Sequence, residues 1–183
     1  DCLSPEVLDL LSELNQIKPV WIELGLQTIH PHTADYIRRG YPLSVYDTAV
    51  CELHERGIEV ITHVILGLPG ETTDDMQATA DYIAHQPIQG VKFQLLHVLK
   101  GTDLYTDYLG QSFQTLTLDE YTDILIRCIE LMPPKMVIHR ITGDGPKNIL
   151  AAPDWSRNKK QVLNHIHHCM KIRNTWQGRC YLQ

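Results

Sequence analysis

The sequence lacks any close pairing of its cysteines. Cys2, Cys51, Cys128, Cys169 and Cys180 are scattered, with no CxxC and no CxxxCxxC among them. An odd, dispersed set argues against a disulfide framework and for reduced thiols. No apolar run approaches the roughly 20 residues of a membrane span, and no basic N-terminal region precedes an apolar stretch. A cytoplasmic protein without a membrane anchor is the expectation. Internal repeats and low-complexity tracts are also missing. The first residues are Asp1-Cys2-Leu3 rather than a methionine, with helical spacing following at once, and the expectation is a chain cut from a longer protein.

What is present is ordinary globular composition, 43% hydrophobic and 21% charged, over 183 residues. That length suits one domain with a sizeable core. The net charge of −6 conceals an asymmetry, because no Asp or Glu lies after Asp154. Residues 155–183 carry six cations, Arg157, Lys159, Lys160, Lys171, Arg173 and Arg179, while the rest holds ten cations against 22 acids. Two readings are open: an arm for an anionic partner such as RNA, or a surface docked on the chain's own acidic body.

Strand and helix patterns alternate along the chain. Ser4-Pro5 starts a helix over 5–16, and 20–27 alternates with Ile22, Leu24 and Leu26 on one side and Glu23, Gly25 and Gln27 on the other. A short helix over 33–39 ends at Gly40, and a longer one over 44–56 ends at Gly57. A strand over 59–66 runs into Gly67-Leu-Pro-Gly70, and Thr72 with Asp75 marks a capped helix. A third strand over 91–98, a helix over 118–131 closed by Pro133-Pro134, a fourth strand over 136–140 and a last helix over 158–173 complete the order. Alternation with long connections predicts a parallel α/β sheet. An eight-stranded barrel needs about 250 residues, so three or four strands read as a half or partial barrel.

Ligands of such sheets sit at the C-terminal strand ends, where Gln27, Gly67, His97 and Arg140 fall. Gly67 and Gly70 either admit a planar ligand or simply build the turn. Glu23 and Gln27 share an inward face that suits ribose hydroxyls or an amino group, unless they serve a structural network inside the barrel. Lys92 and Gln94 also face inward, alternating with Val91, Phe93 and Leu95. Arg39 suits a bidentate carboxylate clamp or a helix C-terminus. His63, His97 and His139 lie near strand ends, which opens a metal-triad reading against the commoner one of satisfied cavity histidines. His165 and Cys169 are four apart on the last helix, where a solvated basic face is the simpler account.

Taken in order, Glu23-Leu-Gly-Leu-Gln27, Arg38-Arg-Gly40, His63-Val-Ile-Leu-Gly-Leu-Pro-Gly70, Lys92-Phe-Gln94, Lys100-Gly-Thr102 and His139-Arg140 resemble the second half of a radical-SAM barrel. The group most similar is that of the YhcC/YtqA-like proteins, related to the catalytic subunit of Elongator. The resemblance implies an α/β fold forming the C-terminal half of a partial (β/α)6 barrel over 1–140, with a basic helical extension over 141–183. It implies S-adenosylmethionine (SAM) beside a [4Fe-4S] cluster, and an electron donor for the whole enzyme. Reductive cleavage of SAM would give a 5′-deoxyadenosyl radical that abstracts hydrogen from substrate.

By position, the resemblance implies that Glu23 and Gln27 lie near the ribose and methionyl group, and that Arg39 meets the methionine carboxylate. Ile65, Leu66 and Gly67 would run along adenine, with His63 standing where the family often has glycine, and His97 at the next strand end. Lys92, Gln94 and Arg140 would be nearer the substrate, as catalytic candidates. The cluster loop CxxxCxxC is missing, so the chain by itself is expected to be inactive and to supply one wall of a site. Relatives of this kind imply a tRNA wobble-uridine substrate, which the basic tail would suit. The competing readings are a non-catalytic nucleotide-binding or interaction module and a metal-dependent barrel hydrolase.

Overall fold

The computed structural model describes residues 3–143 and 145–182. Four parallel strands form the main sheet: β1 (Trp21–Gln27), β2 (Glu59–Leu66), β3 (Gly90–Leu95) and, labelled out of spatial sequence, β5 (Val137–Arg140), in the order β1-β2-β3-β5. Between them run α1 (Pro5–Ile17) before β1, α2 (Pro31–Tyr36), α3 (Leu43–Glu55), α4 (Thr73–Ala84), α5 (Asp103–Leu109) and α6 (Leu118–Leu131). A short ribbon, β4 (Val98–Leu99) antiparallel to β6 (Leu150–Ala152), flanks the sheet, and α7 (Lys159–Ile172) follows a 3-10 turn.

Period-two alternation divides each strand into two faces. Val60, Val64 and Leu66 of β2 and Val91, Phe93 and Leu95 of β3 are buried against Tyr46, Val50 and Leu53 of α3, Met76, Ala80 and Ile83 of α4, and Tyr121, Leu125 and Cys128 of α6. Thr62, the one polar residue on that side of β2, is fully buried and shares a 2.6 Å hydrogen bond with the Tyr46 hydroxyl. The opposite face is left to Glu23, His63, Lys92 and Gln94. Capping boxes at Thr72/Asp75 and Thr117/Glu120 fix the starts of α4 and α6 where the sequence places them.

Three expectations shift. The helix expected over 33–39 starts earlier, because Pro31 takes a first-turn position that costs no hydrogen bond, and it ends at Tyr36 before Arg38 enters the left-handed region at φ 57°. The strand expected over 91–98 stops at Leu95, and Val98 and Leu99 pair with β6 instead. Asp103–Leu109 is helical, capped by Thr102, where the sequence reading had only a loop.

The basic tail resolves largely toward the chain itself. Val162 and Ile166 are buried against the core, Arg173 donates to Asp123 (2.7 Å), and His165 lies 3.0 Å from Asp119. Arg157 bonds to Asp154 and to the carbonyls of Lys147 and Leu150, and Arg179 bonds to the carbonyls of Arg173 and Asn174. Lys160 and Lys171 remain exposed. No described helix is long and apolar enough to cross a membrane.

The two faces of β2 make a direct prediction. Leu66→Ala, at a fully buried position, should cost about 2–5 kcal/mol in urea unfolding, whereas Ile65→Ala on the open face should cost under about 2 kcal/mol. Equal losses would contradict the assignment of faces.

Candidate cofactor site

The strand register brings the inward polar residues together. Glu23 opposes Ile61, while His63 opposes Lys92 and Ile65 opposes Gln94. Glu23 Oε2 accepts from Lys92 Nζ (2.5 Å) and from His63 Nε2 (2.7 Å). Gln94 Nε2 lies 3.0 Å from His63 Nδ1. An amide nitrogen can only donate, so Nδ1 accepts and His63 carries its proton on Nε2, toward Glu23. The bond from Lys92, opposed by desolvation and reinforced by His63, holds the Glu23 carboxyl down at about 2.

Above this network, at the C-terminal strand ends, a cavity of about 680 Å³ is lined by Gly25, Gln27, Arg39, Tyr41, Ile65 and Leu68, with Tyr36, Arg38 and residues of α5 at its rim. The register between β1 and β2 slips between Leu24 and Gln27, and Gln27 takes φ 66°. A Cβ on Gly25 would stand 2.8 Å from Gln27 Nε2, so a side chain there would displace that amide. Gln27 Oε1 is buried with no hydrogen-bond partner. Such an atom costs about 1–3 kcal/mol unless something satisfies it.

Arg39 holds the loop that follows β1. Its Nη1 donates to the carbonyls of Leu26 (3.1 Å) and Thr28 (2.7 Å), its Nε to that of Tyr41 (2.9 Å), and the guanidinium lies over the Tyr41 ring. Tyr41 in turn donates to the Gly25 carbonyl. Thr28, fully buried, donates to Glu71 Oε1 (2.5 Å) and accepts from the His30 amide (3.1 Å), clasping this loop to the one after β2. Burial pushes the Glu71 carboxyl up, against its bond to Thr28. Thr28, Tyr41 and Glu71 were not singled out from the sequence; the only signal was a carboxylate placed directly after Gly70.

The other expected residues have separate surroundings. Leu66 points into the helix-side core, as alternation after Ile65 requires, so its side chain does not line the cavity. Gly67 donates its amide to Met76 Sδ (3.1 Å), and a Cβ there would press on Leu116 at 3.0 Å, a packing constraint. The His97 ring lies beyond the end of β3 against Gly143 and Gly145 rather than in the cavity lining. Arg140 opposes Lys92 in register, but a slip of one residue at His139 leaves both His139 and Arg140 bordering a different groove, with Ile129, Leu163 and Met170. The His139 ring occupies the space over Gly90. The three strand-end histidines therefore do not converge, and the described residues contain no group of three metal-capable side chains.

Comparisons with known proteins give the family. Residues 1–83 match the model of the radical SAM superfamily and 88–172 that of the radical SAM C-terminal domain. The chain is 41% identical to the uncharacterized protein YtqA of Bacillus subtilis over 181 residues, 99% of this chain and 56% of that protein. It is 27% identical to a tRNA uridine(34) acetyltransferase of Dehalococcoides mccartyi, over 83% of this chain and 35% of that protein. The solved structure of archaeal Methanocaldococcus infernus Elp3 superposes with a TM-score of 0.80 at 19% identity, covering 96% of this chain and 40% of that one, and shows a shared fold. The chain belongs to the radical SAM superfamily, in the YhcC/YtqA-like group related to Elongator's catalytic subunit. It spans about half the length of these curated relatives.

The lowered pKa of the Glu23 carboxyl fixes the sign of a pH effect. Its folded value of about 2 lies below the ordinary 4.5, so its contribution is complete above 4.5 and is lost as pH falls toward 2. The gap in unfolding midpoint between wild type and Glu23→Gln should be widest near about pH 6 and close across that window. A gap that stays constant would rule out an ionic role for Glu23.

Proposed function

We propose that the whole protein is a radical SAM enzyme of the cytoplasm and that this chain supplies the SAM-contacting wall of its site. The observation that carries the reading is the buried, unpartnered amide oxygen of Gln27, a residue that lines the cavity beside Gly25. Gln27 Oε1 would accept from the ligand's amino group or a ribose hydroxyl, and Ile65 offers an apolar surface for adenine. The Arg39 Nη2 group has no protein hydrogen bond among the described residues and would donate to the methionine carboxylate. Glu23, already engaged by Lys92 and His63, reads as the support beneath the site rather than a direct contact. Lys92 and Gln94 remain candidates for the substrate side of the interior.

When bound beside a reduced [4Fe-4S] cluster, SAM supplies a 5′-deoxyadenosyl radical that takes hydrogen from a substrate. The described residues offer no ligand set for that cluster. This chain's part is to bind and orient SAM and to exclude water, while an electron donor serves the complete enzyme. A non-catalytic nucleotide-binding role would rest on the same cavity and predicts SAM binding without nucleoside release.

For the substrate we favour a tRNA wobble uridine, supported by the name of the acetyltransferase relative and by the exposed Lys160 and Lys171. The remaining arginines of the tail contribute less, because they are already bonded within the chain.

Two measurements on the full-length protein, purified without oxygen, test these readings. Gln27→Leu removes the orphaned oxygen, so thermal stability should hold or rise while SAM affinity and 5′-deoxyadenosine release fall about tenfold. Unchanged SAM affinity would remove the proposed contact. Reversing charge at Lys160 and Lys171 should weaken tRNA binding several-fold at low salt and leave SAM affinity unchanged. Equal tRNA affinity would exclude the tail as the RNA surface.

A further inference from the structure

The rim of the cavity has a mobile-looking architecture that the cofactor reading does not use. Helix α5 contributes Asp103, Leu104 and Asp107 to the cavity lining, yet none of its residues is buried. Gly101, at φ 84°, precedes it, and Gly110 caps its end. A Cβ on Gly101 would meet nothing within 4 Å, so that glycine serves the backbone conformation and not close packing. A short helix bounded by glycines can rotate as a unit with few dihedral changes.

Two bridges tie α5 to the segment across the cavity. Arg38 Nη2 donates to Asp103 Oδ2 at 2.6 Å, and Tyr36 Oη donates to Asp107 Oδ2 at 2.6 Å. Both partners of the first are more than three-quarters exposed, at 78% and 77%. Arg38 also holds the left-handed conformation, which a residue with a Cβ adopts at a cost. Exposed ion pairs contribute little and weaken with salt. The second bridge is more sheltered: burial and the neighbouring Asp107 push the Tyr36 phenol up to about 12, so it stays a donor.

We propose that α5 is a lid over the cavity, latched by Arg38–Asp103 and Tyr36–Asp107, whose opening sets the rate of ligand entry and exit. All four latch residues belong to the cavity lining, so α5 can move away from it only when both bridges release. Weak, exposed latches suit this duty, since closure then costs little to reverse. The lid rests on the proposed SAM site only for its ligand readout; its opening can be measured without any ligand.

The test compares wild type with the double variant Asp103→Asn/Asp107→Asn in the full-length protein. Hydrogen exchange of amides 103–109 should speed up about five- to twentyfold, the loss expected for two bridges of about 1 kcal/mol or less each, while α6 amides stay unchanged. SAM association and dissociation rates should both rise. The charge swap Arg38→Asp/Asp103→Arg should return exchange toward wild type and serves if the double variant folds poorly. Unchanged exchange in 103–109, or faster exchange with unaltered ligand rates, would overturn the lid. Absence of SAM binding by wild type would sink the cofactor reading instead, and the exchange comparison would still decide whether α5 opens.

Discussion

The carboxylate of Glu23 ties β1, β2 and β3 together on the face that the helices leave open. Lys92 and His63 both bond to one of its oxygens, and Gln94 completes the chain through the second ring nitrogen of His63. Each of these groups would be costly to desolvate alone, and each is satisfied only because the parallel register sets them side by side. The cavity rests on this base. Its walls, Gln27, Ile65 and the loops held by Arg39 and Thr28, keep their spacing because the strands beneath them cannot slip without breaking the network.

Above the base, hydrogen bonds to backbone carbonyls take over from charge. Arg39 spends three donor contacts on carbonyls, and Thr28 links the loops after β1 and β2 through Glu71. These bonds stiffen one side of the mouth. The other side, α5, has no buried residue and is held by two polar bridges. A rigid wall facing a loosely held helix suits a site that must exclude water yet release what it binds.

Much of this was legible in the sequence, for a physical reason that can be read residue by residue. Alternation in Trp21–Gln27 and Gly90–Leu95 set the faces, so the inward positions of Glu23, Lys92 and Gln94 followed from period two alone, whereas His63 had been placed only near a strand end. Thr72 with Asp75 marked the start of α4 because a capping box is a local device. What failed to show was whatever depends on a bulge or on distant backbone. The slip after Leu24 changes the register of Gln27 against β2, the slip at His139 sets Arg140 rather than His139 opposite Lys92, and the pairing of Val98–Leu99 with Leu150–Ala152 ends β3 early. The α5 helix is only seven residues long and buries none of them, so its apolar spacing was too short to mark it.

The irregularity in β1 also constrains how the segment can change over time. Between Leu24 and Gln27 the strand gains a residue relative to β2, so Gln27 lies beside Val64 while Leu26 is fully buried. Substitutions here alter one contact at a time, whereas deleting a single residue would reset the alternation and turn the amide into the helix layer. Variation among natural versions of this segment should therefore appear as exchanges of side chain at fixed length, while the exposed turns around Gly110 tolerate insertions.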